Sequence, residues 1–165
     1  IVCANLAVIS ERRTDRLVHP DFNQGLPPFL AGSPGLESGQ MMSQVTAAAL
    51  ASECKGLAHP ASVDSIPTDG NKEDVVPMAM GAATKLRRSV RNLRHVLAIE
   101  LIAAAEALEY RRPLRSSVAV ERAHAIVRQH VARATGDRPP APDITRLGDA
   151  VASGAFDAIT EGFIV

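Results

Sequence analysis

A chain of 165 residues is long enough for one domain with a buried core, and its 18 Lys+Arg against 18 Asp+Glu leave a formal net charge of zero. That balance speaks against nucleic acid or an anionic membrane surface as partner, since both call for a basic excess. Hydrophobic residues supply 46% of the chain but aromatics only 3% and Trp none, so the apolar content is mostly Ala, Val, Leu and Ile, a mixture suited to closely packed helices.

The chain opens on the run from Ile1 to Ile9, apolar apart from Asn5 and too short to cross a bilayer. With no initiator Met, it reads as a helix already under way in the middle of a larger protein. Residues 1–18 form an amphipathic pattern, with Leu6, Ile9 and Leu17 among the charges Glu11-Arg12-Arg13 and Asp15-Arg16. His19-Pro20 ends it, because a residue before Pro avoids the helical region. Residues 20–37 read as loop, held open by Pro20, Gly25, Pro27, Pro28, Gly32, Pro34 and Gly35. A loop of that length is functional or covers a subunit contact.

Ser38 is placed to cap the next helix, Gln40 to Leu57, in which Met41, Val45, Ala48 and Ala49 fall at helical spacing. Gly56 and His59-Pro60 close it, and residues 60–73 form a second connection. The longest helix is expected to start between Asp74 and Pro77 and to run to Tyr110, with Pro77 in its first turn. Leu86, Val90, Leu93, Leu97, Leu101 and Leu108 make its apolar stripe. Between Val96 and Leu108 only Glu100 and Glu106 are polar. A helix apolar nearly all round is buried on several sides, and this chain is too small to surround it, so other chains or further segments are expected to do so.

Arg111-Arg112-Pro113 stops that helix. Ser116 or Ser117 caps a shorter one through about Ala134, with Gly136 as its stop. After Pro139, Pro140 and Pro142, Asp143 is expected to cap a last helix with Ile144, Leu147 and Val151 on one face. No strand pattern of length and no internal repeat is present. The fold class is all-α: long antiparallel helices forming a bundle.

Few residues carry chemistry on their own. Cys3 and Cys54 make no disulfide framework and read as reduced, buried thiols of a cytosolic protein. Among His19, His59, His95, His124 and His130 no pair has a zinc-ligand spacing, so no metal is expected. His19 and His59 each precede Pro, as at a helix stop. Nucleophile-elbow, P-loop and dinucleotide motifs are absent, and Arg87-Arg88, Arg91 and Arg94 read as a solvated or ion-paired face. The most suggestive stretch is Asp69-Gly70-Asn71-Lys72-Glu73-Asp74, a polar loop delivering two carboxylates to the start of a very apolar helix. The plain reading is N-capping with help from the helix dipole. The sharper reading is acid/base work or contact with a substrate amine, from a carboxylate desolvated where the helix emerges.

Whole segments then resemble one family. Ser10-Glu11-Arg12-Arg13, Gly25-Leu26-Pro27-Pro28-Phe29-Leu30 and Val45-Thr46-Ala47-Ala48-Ala49-Leu50 look like stretches of histidine ammonia-lyases. So do Ala58-His59-Pro60-Ala61-Ser62-Val63-Asp64-Ser65-Ile66-Pro67-Thr68, Asn71-Lys72-Glu73-Asp74, Leu97-Ala98-Ile99-Glu100-Leu101 and Ala103-Ala104-Ala105-Glu106-Ala107-Leu108. The match holds order and spacing to about residue 110 and continues more loosely beyond. The resemblance, to aromatic amino-acid ammonia-lyases, places the chain in the C-terminal third of such an enzyme.

It implies a cytoplasmic homotetramer of long helices that eliminates ammonia from an aromatic L-amino acid to give the trans α,β-unsaturated acid. Several subunits contribute to each site. The implied electrophile is methylidene-imidazolone, made from an internal Ala-Ser-Gly upstream of this chain, along with a catalytic tyrosine and a substrate-carboxylate arginine. Ala152-Ser153-Gly154 is rejected as that triplet, for it lies in the terminal helix without the family's flanking context. The isolated chain is therefore expected to be inactive, completed by a homotetramer or by association with the N-terminal portion.

The family's Gln-Glu-Asp glutamate falls on Glu73, the candidate catalytic residue, with Lys72 and Glu73 as candidate substrate contacts. Lys72 stands where Gln is usual, Val75 where histidine-specific members carry His, and Pro77 where Ser is usual. Glu73 points toward histidine and Val75 away from it, leaving histidine or tyrosine as the substrate. Lys72 would lower the pKa of Glu73 if the two approach. Residues 1–110 correspond to the central bundle with the Glu73 loop, and 111–165 to a C-terminal helical segment. Two other readings stand beside the lyase: an aromatic amino-acid 2,3-aminomutase of the same family, or a non-catalytic helical assembly module.

Overall fold

The structure is a computed structural model and describes residues 1–160. Its helices are α1 (Val2–Val18), α2 (Met41–Leu57), α3 (Ala79–Tyr110), α4 (Val118–His130), α5 (Ala141–Ala152) and the single turn α6 (Asp157–Thr160). Short 3-10 turns occupy Pro28–Leu30, Ala61–Val63 and Asp69–Asn71. Among the described residues there is no strand, only the isolated bridges Pro34↔Glu37 and Thr68↔Glu73. The expected all-α architecture is what forms.

Helix directions follow from which residues meet. Gln44 of α2 reaches Glu11 of α1, while Cys54 lines a hollow with Cys3 and Ala4, so α1 and α2 are antiparallel. Asn92 of α3 bonds Glu53, and Arg13 of α1 pairs with Glu100, so α3 runs against α2 and with α1. On the other flank, α4 and α5 both run against α3, through His124–Glu109 and Arg128–Glu106 for α4, and through Gly148 on His95 and Asp143 beside Ile102 for α5. The 32-residue α3 is the common wall.

The internal seams are made of small residues. α1 buries Ala4, Ala7, Ser10, Glu11, Thr14 and Val18, and α2 buries Ser43, Ala47, Ala51 and Cys54, each at spacings of three or four. Small side chains let the helix axes approach closely and leave the larger apolar residues facing away. Leu6 and Ile9 are exposed, as are Val45 and Leu86, and Leu17 is half-buried. In α3 the fully buried row passes through Asn92, Val96, Ile99 and Ala103, whereas the stripe Leu86–Val90–Leu93–Leu97–Leu101–Leu108 stands about a third of a turn away and is exposed or half-buried. Periodicity located these stripes correctly but could not say which surface covers them. Leu93 and Leu101 still pack on the core's edge.

Charges buried in the bundle are paired. Glu11 accepts from Arg12 at 2.6 and 2.8 Å and from Gln44 at 2.7 Å, and the Arg12 guanidinium holds its carboxyl below the usual range. Glu106 accepts from Arg128 at 2.9 Å and from the Ala134 amide at 3.2 Å. Glu109 meets His124 at 2.9 Å and Arg128 at 3.1 Å. Of the cysteines, both free, Cys54 is buried but Cys3 only half so; burial pushes the Cys54 thiol up.

Four expected helix ends move. Gln40, not Ser38, precedes α2. The amides of Ser38 and Gly39 instead donate to the Asp137 carboxylate at 2.8 and 2.9 Å, an anchor from a segment remote in sequence. α3 begins at Ala79 after Met78, not between Asp74 and Pro77, because the Val76 amide is taken by the Ser65 hydroxyl at 2.9 Å in a non-helical segment. α4, capped by Ser117, stops at His130 because Val131 turns extended and is wholly buried, leaving Gly136 in the loop beyond. α5 starts at Ala141 after Pro140, and Asp143 lies in its first turn, accepting from Arg138 at 2.9 Å rather than capping.

Candidate functional site

The stretch singled out in the sequence forms a small closed clip ahead of α3. The Thr68 amide donates to the Glu73 carbonyl at 3.0 Å and the Glu73 amide returns to the Thr68 carbonyl at 3.4 Å. Between them the chain turns through Asp69, Gly70 and Asn71, all left-handed at φ 49°, 62° and 67°. Gly and Asn are the residues that tolerate this region best. The Asn71 amide closes on the Thr68 carbonyl at 3.0 Å and that of Lys72 on the Asp69 carbonyl at 3.2 Å. Glu73 is oriented by a neighbour the sequence reading passed over: the Thr68 hydroxyl donates to its Oε2 at 2.9 Å. A hydroxyl flanking the turn signal Asp69-Gly70-Asn71 was the one available hint.

The N-capping expected of this stretch does not form. Glu73 and Asp74 stand several residues ahead of α3, whose first turn holds no acidic residue, so they neither cap it nor ride on its dipole. Lys72 does not turn toward Glu73; its Nζ lies 3.8 Å from Asp69 Oδ2. Residues 68–75 are all exposed, with Val75 77% exposed, so nothing among the described residues encloses Glu73.

A sizeable hollow lies elsewhere. A groove of about 510 Å³ runs between α1 and α3, floored by Leu17, Ala104 and Leu108 and rimmed by Arg13, Arg16 and Arg111. None of residues 68–75 lines it. Its α3 residues begin at Glu100, roughly 30 Å along the helix from Ala79 at 1.5 Å per residue. The candidate carboxylate and this groove are therefore at opposite ends of α3.

Ala152-Ser153-Gly154 forms a helix stop. Ser153 is the residue after α5 and its hydroxyl donates to the Ala150 carbonyl at 2.9 Å. Gly154 takes φ 81°, its amide donating to the Val151 carbonyl at 3.3 Å. Cyclising such a triplet needs the glycine nitrogen free to attack the alanine carbonyl, and here it is engaged outward, so these residues do not fit the electrophile. Among the described residues no group of three or more His, Cys, Asp or Glu is arranged to hold a metal ion, and no helix is long and apolar enough to cross a membrane.

With this geometry in view, the chain can be set beside known proteins. The family described as aromatic amino acid lyase matches residues 1–129. A histidine ammonia-lyase of Koribacter versatilis is 52% identical over 158 residues, which are 96% of this chain and 31% of that protein. The crystal structure of histidine ammonia-lyase from Trypanosoma cruzi superposes with a TM-score of 0.92 at 38% identity, over 98% of this chain and 32% of that one. A tyrosine aminomutase from Streptomyces globisporus superposes with a TM-score of 0.89 at 35% identity, over 96% of this chain and 30% of that one. The chain thus spans about a third of the length of the relatives it matches.

Proposed function

The chain belongs to the aromatic amino acid lyase family, and on that premise we propose that it is the C-terminal portion of an ammonia-lyase acting on an aromatic L-amino acid, histidine or tyrosine. The reaction removes ammonia and a β-proton to leave the trans α,β-unsaturated acid. The observation that carries this reading is the 52% identity to a histidine ammonia-lyase, sustained over 96% of the chain.

Within that enzyme, the part played by these residues is to present Glu73 to a site built jointly with other segments. The exposure of residues 68–75 supports a composite site, because a carboxylate is poised for proton transfer only when something closes over it. Glu73 would accept hydrogen bonds from the substrate's ammonium group, and Lys72 would stand at the entrance. The electrophile, methylidene-imidazolone, would come from residues upstream, since the Ala152-Ser153-Gly154 triplet does not fit it. The exposed apolar faces of α1, α2 and α3 support assembly into a homotetramer, with residues 1–110 as the bundle part and 111–165 as the C-terminal segment; residues 161–165 lie outside the described residues. A cytoplasmic setting completes this reading.

The aminomutase reading is carried by the TM-score of 0.89 to a tyrosine aminomutase and by Val75 beside the acidic pair. The test is to express the whole parent protein and follow L-histidine and L-tyrosine by product chromatography. Release of ammonia with the unsaturated acid supports the lyase, a β-amino acid supports the mutase, and no turnover of either substrate overturns both. The chain of 165 residues purified alone is expected to be inactive.

A further inference from the structure

We propose that Thr68 is the positioning residue of Glu73, fixing the direction in which its carboxylate meets the substrate's amino group; this rests on the assignment of Glu73 made above. Two residues five apart are joined by three hydrogen bonds. The Thr68 amide and carbonyl both pair with the Glu73 backbone, and the Thr68 hydroxyl donates to Oε2 at 2.9 Å. The backbone pair sets where Glu73 leaves the chain, and the hydroxyl sets where its side chain ends. A glutamate has three free side-chain torsions, so an exposed carboxylate that nothing holds sweeps a wide arc. Engaging Oε2 leaves Oε1 as the oxygen to meet a ligand.

The surrounding residues make Thr68 suited to the task. Lys72, the nearest cation in sequence, is drawn toward Asp69 instead. The left-handed succession at Asp69, Gly70 and Asn71 keeps the clip short, so the backbone holds the two side chains within hydrogen-bonding reach of each other. Threonine is stiff at its first torsion, a β-branched donor that stays aimed. In open water such a bond is weak, but under the cover of a composite site it strengthens, because the competing solvent is gone. Holding a reacting group in one geometry is where supporting residues contribute to rate.

The experiment is a double-mutant cycle in the full-length parent, with Thr68→Val removing the donor at nearly constant shape, Thr68→Ser restoring it, and Glu73→Gln as the partner change. We expect Thr68→Val to lower kcat about tenfold with KM changed less than about twofold, Thr68→Ser to recover most of the loss, and Thr68→Val to cost nothing more in the Glu73→Gln background. Thr68→Ala, which relies on no isosteric fit, should repeat the pattern with an unchanged melting temperature. An equal loss in both backgrounds, or a Thr68→Ser enzyme as poor as Thr68→Val, overturns the positioning role. A Glu73→Gln enzyme with full turnover overturns the site assignment itself, a result distinct from an impaired Glu73→Gln enzyme beside a fully active Thr68→Val enzyme, which overturns only this proposal.

Discussion

The two halves of α3 differ as much as any two regions of the molecule. From Val96 to Ala107 the helix is enclosed by α1, α2, α4 and α5, and even its glutamates are paired. From Ala79 to Arg88 nearly every residue is exposed, Leu86 and Met80 among them, and the clip bearing Glu73 sits just ahead. One half has its core within this chain, and the other presents a largely exposed apolar face among the described residues. Stability is therefore read at the enclosed end, and the candidate carboxylate lies beside the open one.

The largest expected effect probes the enclosed half. Ile99 is fully buried, so Ile99→Ala should destabilise the chain by about 2–5 kcal/mol in a denaturant titration, whereas Leu86→Ala should stay within about 0.5 kcal/mol. Equal effects would erase the contrast between the halves. In the full-length assembly Leu86→Ala should become costly if that face is covered there. At the open end, Glu73→Ala in the full-length parent should lower kcat about a hundredfold or more, the low end for a lost acid/base group, while the melting temperature and assembly stay as they were. Unchanged kinetics would remove Glu73 from the site.

Smaller effects belong to the loops. At Gly39, with φ 53°, an added Cβ would meet the Phe29 carbonyl oxygen at 2.5 Å, so Gly39→Ala should destabilise by about 1–3 kcal/mol, seen as a lower denaturant midpoint. The smallest effect concerns Glu121, a half-buried carboxylate held by Arg112 and by the Ser116 amide, which bring its pKa down from 4.5 to about 2. A lowered folded pKa contributes stability that is present above about 4.5 and lost as pH falls toward about 2. The stability difference between the native chain and Glu121→Gln should therefore shrink across that window in thermal melts. A difference independent of pH would show that the pairing contributes nothing.

Much of the fold could be read from the sequence because its signals are local. The end of α1 at Val18 follows from His19-Pro20, and the far ends of α2 and α3 fall where Gly56 with His59-Pro60 and Arg111-Arg112-Pro113 set them. What escaped was nonlocal. The start of α2 depends on a carboxylate at residue 137, the late start of α3 on a hydroxyl at residue 65, and the early end of α4 on the burial of Val131. At the candidate site the residue types were legible but their partners were not. Lys72 and Glu73 are neighbours in sequence, yet the left-handed turn sends one toward Asp69 and the other toward Thr68.

The Asp137 anchor has a consequence in time as well as in space. Its partners, Ser38 and Gly39, leave the ribosome 98 to 99 residues earlier. At about 5–20 residues per second, the amides leading into α2 wait roughly 5–20 s for the carboxylate that satisfies them. During that interval the α1–α2 hairpin has its small-residue seam but an unsecured corner. Synthesis must pass α4 before the first loop can settle, so the order of translation and the order of completion differ by more than half the chain.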